Sequence, residues 1–102
     1  MRYLHTMVRV SNLEQSLDFY CKKLGLKEVR RMEHQAGRFT LVFVAPVGQE
    51  DCAIELTYNW DEKEPYSTGR FFGHLAFQVD DIYAKCEALE KAGVDVSFLR
   101  RE

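Results

Sequence analysis

Three pairs of polar residues in this 102-residue sequence have types and spacings that could do chemistry together. In each pair the two residues lie four positions apart, in a segment that is otherwise largely apolar. An even spacing in a β-strand places both side chains on the same face. Each segment therefore offers one group that can bind a metal ion and, roughly 13 Å along that face, one group suited to a carboxylate or an amide. The pairs are His5 with Arg9, Glu55 with Asn59, and His74 with Arg70.

The metal-binding candidates in these pairs are His5, Glu55 and His74. Their nitrogen and oxygen donors suit zinc or nickel better than calcium. Glu55 is the most informative of the three, because it interrupts an apolar run and a carboxylate is seldom buried without a partner. Two ordinary alternatives stay open: a single histidine on a strand is more often a surface residue than a ligand, and Glu55 could form a salt bridge with an arginine.

The elements that must position these residues follow a strand, helix and three-strand order. The first strand alternates, with His5, Met7 and Arg9 on one face. Ser11 to Glu14 then forms a capping box that begins a helix, and Gly25 ends it. The strands are predicted at Tyr3–Val10, Lys27–Met32, Phe39–Ala45 and Cys52–Tyr58, which gives one βαβββ unit.

The second part of the sequence repeats the first. His5 aligns with His74 at an offset of 69 residues, and Gly25 aligns with Gly93 at an offset of 68. The repeat predicts a strand His74–Val79, a cap at Asp80 or Asp81, a helix that ends at Gly93, and a strand that begins within Val94–Leu99. Such self-similarity indicates duplication. We therefore predict an α+β fold with a first βαβββ module at 1–68 and an incomplete second module at 69–102. The symmetry also places a carboxylate equivalent to Glu55 past Glu102.

Composition and charge exclude several classes of partner. The formal net charge is −2 and the basic residues form no run, so neither nucleic acid nor a membrane surface is an expected partner. The first ten residues read as a strand rather than a secretory signal, and no stretch has membrane-spanning length. The three cysteines have no C-x-x-C spacing, which favours reduced thiols and a cytoplasmic protein.

Several of these segments resemble the signatures of glyoxalase I, also called lactoylglutathione lyase, of the short bacterial type. The resemblance extends over essentially the whole chain. It implies the βαβββ repeat of the glyoxalase/bleomycin resistance/dioxygenase fold, also known as the vicinal oxygen chelate superfamily. The segments that resemble the family are His5-Thr6-Met7-Val8-Arg9, Ser16-Leu17-Asp18-Phe19-Tyr20, Glu55-Leu56-Thr57-Tyr58-Asn59-Trp60 and Gly73-His74.

The resemblance also implies a reaction, a cofactor and a set of site residues. Glyoxalase I converts the hemithioacetal of methylglyoxal and glutathione to S-lactoylglutathione. A carboxylate removes a proton from the first carbon, and a divalent cation stabilises the charge that develops. A short connection between the first helix and Glu55 is similar to the class that prefers nickel or cobalt, with zinc as the alternative. The implied metal ligands are His5, Glu55 and His74, with His74 from the other subunit of a homodimer, and the implied glutathione-binding residues are Arg9, Asn59 and Arg70.

The sequence departs from the family in one respect. The family's fourth ligand and preferred base, a glutamate in a D-P-D-G-x-x-x-E segment, has no match, so Glu55 would be the only metal-bound carboxylate and the catalytic candidate. This favours a C-terminally truncated enzyme. The alternatives are a non-catalytic protein that binds metal or thiol and a different enzyme of the same fold. An unpaired second half-sheet would also favour a domain-swapped form of the dimer.

Overall fold

A computed structural model describes residues 1–96 of the protein, and the last part of the strand predicted within Val94–Leu99 lies outside them. The chain divides into two compact units, Met1–Ser67 and Thr68–Glu102. The first contains a four-stranded sheet and a helix, and the second contains one helix, so the predicted α+β class is confirmed. The two-module assignment at 1–68 and 69–102 stays a prediction. No helix in the described residues is long and apolar enough to span a membrane.

The sheet has the order β1-β4-β3-β2. Its strands are β1 (His5–Arg9), β2 (Lys27–His34), β3 (Phe39–Ala45) and β4 (Ala53–Asn59), which confirms the four strands predicted for this part of the chain. β2, β3 and β4 form antiparallel hairpins, whereas β1 pairs with β4 in parallel. The first and last strands of the unit are therefore neighbours, and the two polar pairs they contain lie side by side.

The core lies on the face of the sheet opposite Glu55. Val42, Val44 and Leu56 are completely buried there, and the register pairs Val42 with Leu56. Outside the sheet, Leu17 and Tyr20 of the helical segment that follows β1 are half-buried. Burial raises the pKa of the Tyr20 hydroxyl. Burial of the three aliphatic side chains contributes about 1.5–3 kcal/mol each, so this face holds the sheet together and leaves the other face for polar residues.

The two helices, α1 (Leu13–Leu17) and α2 (Ile82–Lys91), begin with the same geometry. Asn12 caps α1 with φ −136° and ψ 104°, and its side chain accepts a hydrogen bond from the Gln15 amide. Asp81 caps α2 with φ −138° and ψ 102°, and it accepts hydrogen bonds from two backbone amides. The expected cap at Ser11 is wrong by one residue, because the extended backbone and the accepting oxygen belong to Asn12. The cap at Asp81 is one of the two that were predicted.

A π-helical segment, Asp18–Lys23, continues α1 and explains a detail of the repeat. The offset between the two copies is 69 at the caps but 68 at the terminal glycines, so the first helical segment is one residue longer. A π-helical turn holds one more residue than an α-helical turn, as in the bond from the Leu24 amide to the Phe19 carbonyl. The extra residue is therefore absorbed, and Gly25 and Gly93 both end their segments at positive φ, 93° and 88°.

The second unit differs from the prediction before its helix. Residues 74–79 form no strand in the described structure, and Arg70 lies in a turn closed by a 3.5 Å bond from the Phe72 amide to the Thr68 carbonyl. The predicted strand from His74 to Val79 is therefore wrong for this chain, as is the extended spacing of Arg70 and His74. A strand is stable when a neighbouring strand forms hydrogen bonds with its backbone. The described residues of this unit contain no strand that could pair with residues 74–79.

The cap assignment gives a direct test. Replacing Asn12 with alanine removes the acceptor for the Gln15 amide and should lower the free energy of unfolding by about 1 kcal/mol. Ser11→Ala is the matched control and should change it by less than about 0.5 kcal/mol. Urea unfolding followed by the fluorescence of Trp60, the single tryptophan, measures both. A larger effect of Ser11→Ala than of Asn12→Ala would contradict this assignment and identify Ser11 as the cap.

Candidate metal and substrate site

His5 and Glu55 meet on the face of the sheet opposite the core. The parallel register of β1 and β4 places His5 beside Ala53 and Met7 beside Glu55, so the two polar residues are diagonal neighbours. The Nε2 atom of His5 lies 2.7 Å from Oε1 of Glu55. The side chains are 33% and 13% exposed, so solvent reaches the histidine more easily than the carboxylate. Sequence reasoning named both residues, and the structure brings them into contact.

The second oxygen of Glu55 is occupied by a neighbour on the same strand. The hydroxyl of Thr57 donates a 2.9 Å hydrogen bond to Oε2. Both carboxylate oxygens thus have partners, which offsets the cost of placing a charged group where little solvent reaches it. The alternative that Glu55 pairs with an arginine is wrong for the described residues, because its partners there are His5 and Thr57.

An aromatic side chain, Phe43, packs against the ring of His5. Phe43 pairs with Glu55 across β3 and β4, and its ring makes an edge-to-face contact with the His5 ring at 5.2 Å and 81°. The guanidinium carbon of Arg30 lies 4.4 Å from the centre of the same phenyl ring. Phe43 is buried although it lies on the polar face.

The other members of the first two pairs lie further along the same face. Arg9 pairs with Thr57, and Asn59 is two residues beyond that position on β4, so the relation of His5 to Glu55 is repeated four residues along the strands. Arg9 is exposed and has no ion pair within residues 1–96. The Asn59 side-chain amide donates a 3.1 Å hydrogen bond to the hydroxyl of Tyr66. The Asn59 carbonyl oxygen is therefore oriented away from that partner.

A polar cluster fixes the end of β4 next to Asn59. The indole of Trp60 donates a 2.8 Å hydrogen bond to the buried hydroxyl of Thr40, and its backbone amide bonds to the carbonyl of Arg38. Arg38, at a positive φ of 56°, forms a double hydrogen bond with Asp61 and lies 5.3 Å from the Trp60 ring. These hydrogen bonds lower the pKa of Asp61 and raise that of Arg38.

The third pair belongs to the second unit, where Arg70 and His74 are both exposed. Within residues 1–96 no group of three His, Cys, Asp or Glu side chains is placed to hold a metal ion. His5 and Glu55 are therefore two adjacent donors, one nitrogen and one oxygen, which fit a divalent transition metal as part of a ligand set. A complete set needs donors from elsewhere.

Sequence reasoning missed three contributors to this site: Thr57, Arg30 and Tyr66. Thr57 could have been found, because a hydroxyl two residues from a carboxylate on one strand lies within its reach. Arg30 contacts Phe43 through the register of the β2–β3 hairpin, which contains a bulge after Glu28, and the sequence gives no sign of it. Tyr66 follows β4 in an irregular segment where no periodicity predicts the direction of a side chain.

The sequence also matches the model of a known protein family. Residues 2–100 match the model described as the Glyoxalase/Bleomycin resistance protein/Dioxygenase superfamily. The match covers nearly the whole chain, and the protein belongs to this superfamily.

Within the superfamily, the chain is similar to enzymes named as lactoylglutathione lyases. The protein of that name from Neisseria meningitidis serogroup A is 50% identical over 97 residues, which cover 94% of this chain and 70% of that one. A probable lactoylglutathione lyase of Vibrio parahaemolyticus is 46% identical over 98 residues, with 94% and 70% coverage. The trypanothione-dependent glyoxalase I of Leishmania major has a TM-score of 0.86 at 32% identity, with 99% and 73% coverage. The resemblance predicted from the motifs is confirmed.

The support of His5 by Phe43 can be tested through stability. Phe43→Leu keeps an apolar side chain but removes the edge-to-face contact and the ring beneath Arg30, and it should lower the free energy of unfolding by about 1–2 kcal/mol. Phe71→Leu is the matched control, because Phe71 is fully exposed and should change it by less than about 0.5 kcal/mol. Denaturant unfolding measures both, and an unchanged Phe43→Leu variant would mean that these contacts add nothing to stability.

Proposed function

We propose that this chain contributes to metal-dependent isomerisation of the methylglyoxal-glutathione hemithioacetal to S-lactoylglutathione. The observation that carries the proposal is the 2.7 Å contact between His5 and Glu55 on a sheet face that also presents Arg9 and Asn59. Relatives at 46–50% identity that are named lactoylglutathione lyases support the same activity. The reaction detoxifies methylglyoxal.

The proposed metal ligands are His5, Glu55 and His74. Their donor set suits nickel, cobalt or zinc, and the resemblance to the short bacterial class favours nickel or cobalt. When bound, a divalent ion supplies the positive charge that makes a carbon-bound proton acidic enough for a carboxylate to remove. His5 and Glu55 are already adjacent without the ion, so two ligands need little rearrangement to bind it.

The remaining proposed roles concern the substrate. Arg9 has no ion pair in the described residues, so its guanidinium is available for a glutathione carboxylate. Asn59 donates its amide to Tyr66, which leaves its carbonyl oxygen to accept a hydrogen bond from an amide of the tripeptide. Arg70 is proposed to bind a second carboxylate. Glu55 is the proposed catalytic carboxylate, which receives the proton from the first carbon of the hemithioacetal and returns it to the neighbouring carbon.

We further propose a homodimer in which His5 and Glu55 of one protomer share a metal ion with His74 of its partner. The two donors in contact belong to one unit of the chain, and His74 belongs to the other unit. A metal ion bound at such a shared site would stabilise the dimer, because neither protomer supplies all of the donors alone. We keep the cytoplasm as the expected compartment, since Cys21, Cys52 and Cys86 are free thiols.

A second candidate function is metal or thiol binding without turnover. It is favoured by the contacts of Glu55, because both of its carboxylate oxygens already have partners, His5 and Thr57. Glu55 would then be a ligand only, and the arginine and asparagine side chains would bind a thiol peptide without converting it. The two functions predict the same metal binding and differ in the chemistry that follows.

Metal titration followed by a turnover assay separates the two candidates. The protein is stripped of metal, given nickel, cobalt or zinc, and assayed for S-lactoylglutathione formation by absorbance. We expect metal-dependent turnover, which His5→Ala and Glu55→Gln should reduce at least 100-fold because each removes a ligand. His34→Ala is the matched histidine control and should retain activity, because His34 contacts Phe39 and Gly37 and not His5 or Glu55.

The outcomes of this assay are distinct. Turnover that survives loss of either His5 or Glu55 contradicts the proposed site. Metal binding that depends on both residues, without turnover under any metal, supports the binding protein instead. Absence of metal binding by the unmodified chain contradicts the isomerase and leaves only thiol binding, without a metal, for the second function.

The shared site predicts complementation between two defective chains. His5→Ala and His74→Ala should each be inactive alone. If subunits exchange at random, half of the dimers in an equal mixture contain one intact site of two, so about a quarter of the unmodified activity should return. The two variants are refolded together and assayed, with each variant refolded alone as the control. No recovery in a mixture that light scattering shows to be dimeric would place His74 in the same protomer's site, or outside it.

A further inference from the structure

We propose that Thr57 is a positioning residue that fixes Glu55 as a one-oxygen metal ligand. This inference rests on the proposed metal site and assigns a role to a residue outside the ligand set. The Thr57 hydroxyl donates a 2.9 Å hydrogen bond to Oε2 of Glu55, while Oε1 lies 2.7 Å from Nε2 of His5. The two oxygens therefore have different partners: Oε2 accepts the hydrogen bond from Thr57, and Oε1 contacts His5.

Thr57 is buried, and Glu55 is the side-chain partner of its hydroxyl group. Its residue is 7% exposed, and its neighbours across the sheet are Arg9 on β1 and Leu41 on β3. The hydroxyl makes its hydrogen bond to Glu55 and to no other side chain in the described residues. A valine of the same shape would fit this strand position, so packing alone does not require a hydroxyl here.

The hydrogen bond restricts the carboxylate before any metal arrives. A free glutamate can rotate about its terminal torsion and present either oxygen, or both. With Oε2 held by a donor on the same strand, the side chain keeps Oε1 towards His5. Partners of this kind raise metal affinity because the ligand loses less freedom on binding. In this proposal Thr57 acts through Glu55 and binds neither the ion nor the substrate itself.

Thr57 lies between the proposed metal ligand Glu55 and the proposed substrate-binding residues Arg9 and Asn59. It lies two residues after Glu55 and two residues before Asn59 on the same face of β4, beside Arg9. A change in the Glu55 orientation is therefore expected to affect metal affinity first, with substrate binding affected less. This order of effects distinguishes a positioning role from general damage to the strand.

The test compares Thr57→Val, which removes the hydroxyl at constant shape, with Thr57→Ser, which retains it. Metal-stripped protein is titrated with cobalt or zinc against a chromogenic chelator, and the visible spectrum of the cobalt form is recorded. We expect Thr57→Val to raise the dissociation constant about tenfold or more and to alter the cobalt spectrum. Thr57→Ser should stay within about threefold of the unmodified protein with an unchanged spectrum.

A purely structural role for Thr57 would change unfolding but leave the affinity and the cobalt spectrum of the folded protein as they are, and that result overturns the proposal. If Thr57→Val does not fold, Thr57→Ala and Thr57→Ser are compared in the same titration. The proposed function fails separately: an unmodified chain that binds no metal overturns both proposals, whereas normal metal binding by Thr57→Val overturns the positioning role alone. Tight binding that depends on Thr57, without turnover, supports the positioning role and rejects the isomerase.

Discussion

The parallel pairing of β1 with β4 is the constraint on which the rest of the site depends. Parallel neighbours need a crossover, and the helical segment with the β2–β3 hairpin supplies it. Because the register places Met7 beside Glu55, the side chain of His5 reaches the carboxylate diagonally. A one-residue slip of either strand would turn its polar side chains to the core face and bury them with Val42 and Leu56. The apolar core therefore sets the register, and the register creates the contact between His5 and Glu55.

Much of the first unit follows from periodicity. Alternation in β1 separates His5 and Arg9 from the core, and the apolar run of β3 identifies a strand that is buried in the sheet. The sequence indicated that His5 and Glu55 could both bind a metal ion. It could not predict that the two side chains touch, because it does not state which strands pair. The geometry of this contact required the parallel register. The repeat added an independent argument, since the caps Asn12 and Asp81 lie at one offset and adopt the same backbone angles.

The features that sequence reasoning did not predict have local physical causes. The π-helical segment depends on where one extra residue is accommodated, and several turns of α1 could have done so. Arg70 lies in a turn after Gly69, which has a φ of 59°, and an alternating pattern cannot express such a turn. The contact of Arg30 with Phe43 depends on a bulge in β2. In each case the decisive term is a small backbone irregularity rather than the burial of apolar surface.

The cost of partly burying the Glu55 carboxylate is offset by contacts with neighbouring side chains of the sheet. The Glu55 side chain is 13% exposed, and its carboxylate contacts His5 and Thr57. An approaching cation would meet a carboxylate whose desolvation has already been offset by protein donors, and a histidine held by Phe43. Because these donors are in place beforehand, little ordering remains to oppose binding. In the proposed site, further ligands would reach His5 and Glu55 on the face of the sheet that Arg9 and Asn59 share. The partner protomer that is proposed to supply His74 would then approach across the same face that is proposed to bind the substrate.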